Sequence, residues 1–201
     1  MPSLKSGLRI FPRQAGYRDV NPPSPPPEPL VLLHAAAADS VTAGLASLPQ
    51  DLREQSSRRV VMLPGRRLLF LLENGTLRNA FPVAIGMPGW ETPTGRFEVL
   101  QKIPNPVWVH PVSGDRMEEQ GPDNPLGSHW IAFHRDCLGR DAHDGEAWIT
   151  IKGCTTTGFH GTPHCWTVGR AVSHGCVRLY NEDVRALYRQ VSLGTQVTVL
   201  P

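Results

Sequence analysis

The most specific stretch of this sequence reads Ser173-His174-Gly175-Cys176-Val177-Arg178-Leu179, and it follows Gly158-Phe159-His160-Gly161-Thr162. A cysteine attacks as its thiolate, so a reactive thiol needs a base or a positive charge beside it. In an extended segment His174 and Cys176 point to the same side, which is a poor geometry for proton transfer between them. His160 lies on a separate segment and can approach Cys176 face-on. We therefore predict Cys176 as the nucleophile and His160 as its base.

Three neighbouring residues complete this predicted site. A catalytic imidazole needs its second nitrogen held in one tautomer, and a backbone carbonyl near the flexible Gly161 is a candidate for this. Gly175 leaves its own amide and that of Cys176 open, so these two N–H groups are candidates for an oxyanion hole. Arg178 follows Cys176 by two positions, and on a strand it faces the same side, where it can bind a substrate carboxylate or lower the thiol pKa.

Two other interpretations of these residues compete with catalysis. A lone cysteine is most often an inert, buried side chain. Zinc is the second alternative, because His160, His164, Cys165, His174 and Cys176 are all ligand types. The spacings oppose zinc, since there is no Cys-x-x-Cys pair, and the Gly and Pro between His160 and His164 disfavour a helix joining them. We expect no metal and no cofactor.

The surrounding sequence predicts a mostly β fold. Asn74-Gly75 favours a tight hairpin turn, because both central positions need positive φ. The remaining strand candidates are short apolar runs bounded by Gly or Pro, and together with the hairpin arms the predicted strands are 59–63, 67–73, 76–85, 95–101, 129–133, 148–151 and 195–200. The Pro- and Gly-rich stretch 105–127 predicts a long loop that covers something.

One clear helix is predicted near the C-terminus. Asn181 is placed to cap it, Glu182 and Asp183 suit its positive N-terminal end, and Gly194 follows it. A second, short helix is predicted within 39–57, where Val41, Leu45 and Leu48 fall at helical spacing.

Residues 1–57 are interpreted as a Pro-rich N-terminal segment, either an export signal or a linker, with residues 1–29 loosely structured or disordered. The catalytic domain is placed at 58–201. The net charge is only +2, and no dense basic block is present, so nucleic-acid binding is not expected.

Apart from Cys176, the chain has Cys137, Cys154 and Cys165, among which at most one disulfide can form. We expect small buried side chains here rather than a bridge. For the acidic stretch between Cys137 and Cys154 the alternatives are a lid, an insertion or a solvated loop, and the solvated loop is the expectation because short acidic runs usually face water.

The two segments quoted first resemble those of the L,D-transpeptidase catalytic domain (YkuD) family. Two earlier segments are similar to that family as well, and the resemblance covers about residues 58–201. These segments are Ala84-Ile85-Gly86 with Thr92-Pro93-Thr94-Gly95-Arg96-Phe97, and 121–127 with Trp130-Ile131-Ala132-Phe133. The resemblance implies a β-sandwich or barrel-like domain with one short C-terminal helix.

The resemblance also implies an activity. Cys176 would attack the peptidoglycan tetrapeptide stem at the carbonyl between its diamino acid and terminal D-alanine, form a thioester, and pass the acyl group to an amine, as in a 3-3 cross-link. His160 would be the general base and acid, the Gly161 carbonyl its orienting partner, and His174 a wall of the pocket. The expected substrate-contacting residues are Arg178, Asn124, Thr162, Ser173 and Trp130. Arg178 stands where some members carry Asn, so substrate contacts there can differ.

Several consequences follow from that resemblance. Carbapenem β-lactams are expected to acylate Cys176, and the protein is expected to act as a monomer in the periplasm or cell envelope, where peptidoglycan lies. One alternative is an L,D-carboxypeptidase, in which water resolves the same acyl-enzyme. Another is a non-catalytic wall-binding module, which the intact Cys–His pair opposes.

Overall fold

The computed structural model describes residues 30–109, 116–117, 124–143 and 148–201. Its three helices are α1 (Leu30–Ala46), α2 (Gln50–Glu54) and α3 (Asn181–Gln190). The strands are β1 (Arg59–Leu63), β2 (Leu68–Glu73), β3 (Thr76–Pro82), β4 (Ile85–Gly86), β5 (Gly95–Glu98), β6 (Gln101–Pro104), β7 (Trp108–Val109), β8 (Arg116–Met117), β9 (His129–Asp136), β10 (Arg140–His143), β11 (Trp148–Ile151), β12 (Thr155–His160), β13 (Ala171–Ser173), β14 (Val177–Arg178) and β15 (Gln196–Val199).

Two sheets form the body of the domain, which confirms the mostly β fold. One has five strands in the order β3-β2-β1-β15-β5, and the other has four in the order β14-β12-β9-β6. The predicted hairpin is confirmed as β2–β3, with positive φ at both Asn74 and Gly75. Side chains from both sheets and from α3 make one continuous apolar core.

The strand β1 is buried along its whole length because both faces of its sheet are covered. Val60 and Met62 point into the core between the sheets. Val61 and Leu63 point the opposite way, into a second cluster with Leu48.

The predicted short helix is present but differs in its bounds. The helix α1 extends back to Leu30, so it begins well before the predicted bounds. Val41 and Leu45 pack on the outer sheet face, and Leu52 of α2 is buried there too. The segment 41–52 therefore covers a sheet face.

The boundary at 57/58 stays a prediction, and residues 1–29 lie outside the described residues. No helix in the described ranges is long and apolar enough to cross a bilayer.

The prediction of one strand over 95–101 is wrong, because the chain changes sheets there. β5 pairs with β15 in the five-stranded sheet, while β6 pairs with β9 in the other. Between them Val99 turns into the core and Leu100 turns outward. The break joins the two sheets at one corner. Of the predicted loop at 105–127, the structure describes β7, β8 and the two ends, and the remainder lies outside the described residues.

Gly158 in β12 allows the two central strands of the four-stranded sheet to pack closely. A Cβ at this position would lie 2.7 Å from the Ile131 carbonyl oxygen and 2.9 Å from the Trp130 indole. Both neighbours belong to β9. The Ile131 carbonyl is part of the strand backbone, so it cannot move without disturbing the pairing of β9 with β12.

We expect Gly158→Ala to lower the free energy of unfolding by about 1–3 kcal/mol, the usual penalty for overpacking. Denaturant titration measures it. Gly65→Ala is the matched control, because a Cβ there meets nothing within 4 Å, and it should change stability by less than about 0.5 kcal/mol. Equal stabilities for the two variants would contradict this packing.

Candidate active site

The two segments singled out by sequence lie side by side in the four-stranded sheet. β12 and β14 run parallel, with Phe159 opposite Val177 and His160 opposite Arg178. Phe159 and Val177 point into the core, so His160 and Arg178 share the opposite face. Cys176 comes directly before β14, and its Sγ lies 3.8 Å from the carbonyl oxygen of Thr156 in β12. The sheet register therefore brings the thiol, the imidazole and the guanidinium to one edge.

His160 is held by the residue that follows it. Its side chain is buried, and its Nδ1 lies 2.5 Å from the Gly161 carbonyl oxygen. A carbonyl can only accept, so this contact assigns the proton to Nδ1. Leu179 donates its amide to the His160 carbonyl at 2.8 Å, which ties the end of β12 to the residue after β14. The imidazole is thus in the tautomer that a base needs.

Burial has the largest effect on the pKa of both His160 and Cys176. It lowers the pKa of His160 to about 4, with the positive charge of Arg178 acting in the same direction and the carbonyls of Gly161 and Pro125 opposing it. Burial also raises the pKa of the Cys176 thiol, against smaller opposing effects from the Gly158 backbone and Arg178. At neutral pH the resting state is therefore a neutral thiol and a neutral imidazole, not an ion pair.

The turn before the thiol is closed by Ser173. Its hydroxyl donates to the Cys176 carbonyl at 2.5 Å and accepts the Gly175 amide at 3.2 Å. The Gly175 N–H is therefore engaged within this turn, and its role in an oxyanion hole stays a prediction. Among the described residues, the Cys176 N–H donates to no protein acceptor. Gly175 itself adopts φ of 108°, which favours glycine at this turn.

Three of the predicted substrate-contacting residues have polar groups engaged within the protein. Asn124 is buried, donates to the Pro106 carbonyl at 2.8 Å and accepts the Leu126 amide at 2.9 Å. Thr162 is buried and accepts the His164 amide. The Ser173 hydroxyl is bonded to the Cys176 carbonyl and the Gly175 amide. Substrate contact through these side chains stays a prediction.

Trp130 and Arg178 lie on the face that carries His160. The Trp130 indole packs over Gly158, with its ring centroid 6.0 Å from that of His160. Arg178 is close enough to act on the pKa of both His160 and Cys176. Their substrate roles also stay predictions, and Arg178 supplies the positive charge that a carboxylate would meet.

Trp90 is a residue of the site that sequence reasoning missed. It lies in the loop that connects β4 to β5, and its side chain is buried. Its ring meets that of His174 edge-on, with 4.6 Å between the ring centroids. Its indole Nε1 donates to the His143 carbonyl at 2.6 Å. Trp90 therefore connects the turn that carries the thiol to the segment between Cys137 and Cys154. A lone tryptophan in a loop carried no local signal of this contact.

The expectation that the three remaining cysteines are small buried side chains is wrong. Cys137 and Cys154 form a disulfide, and Cys165 is an exposed free thiol. The register explains the bridge, because Asp136 pairs with Thr155 at the ends of β9 and β12, and the next pair outward is Cys137 and Cys154. The stretch between them is solvent-exposed at Asp141 and His143, as expected, but it is not an irregular loop, since β10 and β11 form a hairpin closed by this bridge.

We expect Cys137→Ser combined with Cys154→Ser to loosen this hairpin. A bridge over a loop of this length contributes on the order of 3 kcal/mol. Amide exchange in β10 and β11 should accelerate accordingly, as followed by hydrogen–deuterium exchange. Cys165→Ser, which leaves the bridge intact, is the control. Unchanged exchange in the double variant would show that the bridge does not hold the hairpin.

In the described part of the chain, no three His, Cys, Asp or Glu side chains converge as metal ligands. The Nδ1 atom of His160 is already engaged by the Gly161 carbonyl, so at most its Nε2 could coordinate a metal.

Comparison with known proteins matches this site to one family. The family model of the L,D-transpeptidase catalytic domain, YkuD, matches residues 57–199. YqjB of Bacillus subtilis, which carries an L,D-transpeptidase name, is 33% identical over 132 residues, 66% of this chain and 64% of that protein. YkuD of Bacillus licheniformis, named likewise, is 28% identical over 164 residues, covering 80% and 78%.

Solved structures show the same fold. An L,D-transpeptidase from Mycobacterium tuberculosis superposes with a TM-score of 0.52 at 19% identity, covering 72% of this chain and 58% of that one. L,D-transpeptidase 3 of the same organism, solved with a faropenem-derived adduct, also gives 0.52, at 18% identity, covering 72% and 60%. The chain thus spans about 60% of the length of these two proteins and 64% of YqjB. On the family match over residues 57–199, the chain belongs to the L,D-transpeptidase (YkuD) family.

Proposed function

We propose that this chain is a peptidoglycan L,D-transpeptidase that works through a Cys176 thioester. The observation that carries the proposal is the pairing of β12 with β14, which brings His160 and the segment that follows Cys176 together at one sheet edge, with the Gly161 carbonyl against His160 Nδ1. Membership of the family supplies the substrate class. The donor is the tetrapeptide stem, and the bond broken joins its diamino acid to the terminal D-alanine.

In the acylation step, the Cys176 Sγ attacks the carbonyl carbon while its proton passes to His160 Nε2. The negative charge that develops on the carbonyl oxygen is stabilised by the Cys176 N–H. The imidazolium then protonates the departing amide nitrogen, the C–N bond breaks, and D-alanine leaves. A thioester remains on Cys176, and His160 is again neutral.

Deacylation repeats this sequence with an acceptor amine. The amine nitrogen attacks the thioester carbon and gives a proton to His160 Nε2. Collapse of the tetrahedral adduct breaks the C–S bond, and the imidazolium returns the proton to sulfur. The product is a new amide, as in a 3-3 cross-link. Arg178 offers its guanidinium to a carboxylate of the stem on the face shared with His160.

The lowered pKa of His160 predicts the pH at which the acylation rate falls on the acid side of its pH profile, the acid limb. The base works as neutral imidazole, which is lost as pH falls through its pKa of about 4 rather than through the ordinary histidine value. Acylation should therefore stay constant between about pH 5 and 6.5. Because the positive charge of Arg178 lowers this pKa, Arg178→Gln should move the limb to higher pH. Saturation rates of acylation against pH measure both, and a wild-type limb near 6.5 would contradict the assignment.

Two further proposals depend on this chemistry. Carbapenem-type β-lactams should acylate Cys176, supported by the faropenem-derived adduct in a protein of the same fold. The protein should work in the periplasm or cell envelope, because its proposed substrate lies there.

Product analysis on a tetrapeptide donor tests the proposed function. With an amine acceptor titrated in, the amide product should rise at the expense of the hydrolysed tripeptide. If only tripeptide formed at every acceptor concentration, the enzyme would be an L,D-carboxypeptidase of the same mechanism. Binding to cell-wall sacculi with no product of either kind would identify a non-catalytic module.

A further inference from the structure

Asn181 is the first residue of α3, yet its side chain turns away from the helix end. It was predicted to cap α3, and that prediction is wrong. The capping position is taken by Tyr180, which makes no side-chain capping bond. The carboxamide of Asn181 instead bonds to the loop before β9 and to the loop after β12.

The oxygen and the nitrogen of this carboxamide each form a hydrogen bond to one of those loops. Its Oδ1 accepts the Ser128 amide at 2.8 Å, and its Nδ2 donates to the Thr162 carbonyl at 3.2 Å. The Asn181 backbone carbonyl accepts the Ser128 hydroxyl at 3.2 Å. The loop that precedes β9 and the loop that follows β12 are thereby joined through one side chain.

Two glycines make room for the carboxamide. A Cβ on Gly127 or on Gly161 would collide with Asn181 Oδ1, and the Gly161 Cβ would also lie 3.0 Å from the Ser128 nitrogen. Gly127 adopts φ of 57°, in the left-handed region. Both loops are therefore shaped around Asn181, which is a closer fit than a helix cap requires.

The loop after β12 contains the carbonyl that orients His160. Gly161 is bonded at its amide to the His129 carbonyl at 3.2 Å, and its own carbonyl lies against His160 Nδ1. The peptide unit between Gly161 and Thr162 carries that carbonyl. Asn181 holds the next carbonyl along the chain, that of Thr162. The direction of the Gly161 carbonyl is thus fixed from both sides.

We infer that Asn181 is a positioning residue for catalysis, which acts through the Gly161 carbonyl to keep His160 in its Nδ1–H tautomer. This inference rests on the proposed function for its effect on rate, but the tautomer itself can be observed without turnover. Asn181 contacts neither the thiol nor the imidazole in the structure, so its influence runs through the loop.

Asn181→Ala removes both carboxamide bonds. At saturating tetrapeptide donor we expect acylation to slow by about 10- to 100-fold, because small misplacement of a catalytic group has effects of that size. The donor concentration for half-maximal rate should change by less than about threefold, since the binding face is untouched. Asn181→Asp keeps the acceptor for Ser128 and loses the donor to Thr162. Its acylation rate should therefore lie between those of wild type and Asn181→Ala.

The ¹⁵N spectrum of the His160 imidazole at neutral pH is the second measurement. Wild type should show one Nδ1–H tautomer, and Asn181→Ala should show a mixture with the Nε2–H form. Asn79→Ala is the matched control, because Asn79 accepts one side-chain bond from Gln190 at 3.0 Å away from the site. It should leave the rate and the tautomer unchanged, whatever it does to thermal stability.

Three results would overturn the inference. They are an unchanged saturation rate in Asn181→Ala, a slowed rate with the single tautomer retained, and equal effects of Asn79→Ala. If wild type itself were not acylated, the proposed function would fail, and the spectra of Asn181→Ala and Asn181→Asp would still test the link to His160. Asn181→Asp provides both readouts should the alanine variant not fold.

Discussion

Cys176→Ala is expected to abolish covalent acylation by both a tetrapeptide donor and a carbapenem. In the proposed mechanism this thiol is the nucleophile, at the edge where β12 and β14 pair, and alanine leaves no atom to form the thioester. Intact-mass spectrometry should find the wild-type chain fully labelled and the variant unlabelled.

The matched control for that variant is Cys165→Ala. Cys165 is also a free thiol, and it is exposed, so a generally reactive reagent would modify it first. Cys165→Ala should be acylated at the wild-type rate. Labelling of Cys176→Ala at any stoichiometric level would show that another residue is the nucleophile.

His160→Gln is expected to slow acylation by about 10²- to 10⁴-fold, the usual contribution of a positioned general base. The effect is large because burial holds the Cys176 thiol pKa above its ordinary value, so little thiolate forms without a base to take the proton. The concentration of donor for half-maximal rate should change little. Single-turnover kinetics with a chromogenic β-lactam measure the acylation step alone.

His129→Gln is the control for that variant. His129 has a pKa lowered by burial, with Arg185, Arg189 and Lys102 adding to the effect, yet its ring packs on Tyr188 rather than beside the thiol. Its replacement should leave acylation within about threefold of wild type, well below the contribution of a general base. Equal losses in the two variants would indicate a shared structural effect and would contradict a base at His160.

The features that sequence predicted correctly are those with a local physical cause. The Asn74-Gly75 turn has two positions at positive φ, which few other residue pairs tolerate, and β2–β3 follows from it. The apolar run of β1 predicted a strand because both of its faces are covered. The two site segments were placed together because each contains chemistry that has a use only beside the other.

The features that sequence did not predict depend on pairing between distant strands. The disulfide exists because β9 and β12 end opposite one another, a register that no single segment encodes. The split of 95–101 reflects which sheet each half joins, and both halves have the same β-forming pattern. Trp90 reaches His174 only through the folding of its loop.

Asn181 shows how a local rule can mislead at a functional site. Its position before an acidic, amphipathic helix is typical of an N-cap. In the structure its carboxamide is used at Ser128 and Thr162 instead, and the helix begins without a side-chain cap. The signal available in the sequence was the pair Gly127 and Gly161, whose missing Cβ atoms leave space for that side chain.

A thioester on Cys176 can be detected directly by mass spectrometry. Wild-type protein is mixed with a tetrapeptide stem donor, without acceptor, and its intact mass is recorded with peptide mapping of the product. The mass should increase by that of the donor minus D-alanine, and the added group should be located on Cys176. An adduct that retains D-alanine, one located on Cys165, or no adduct while free D-alanine accumulates in both wild type and Cys176→Ala, would contradict it.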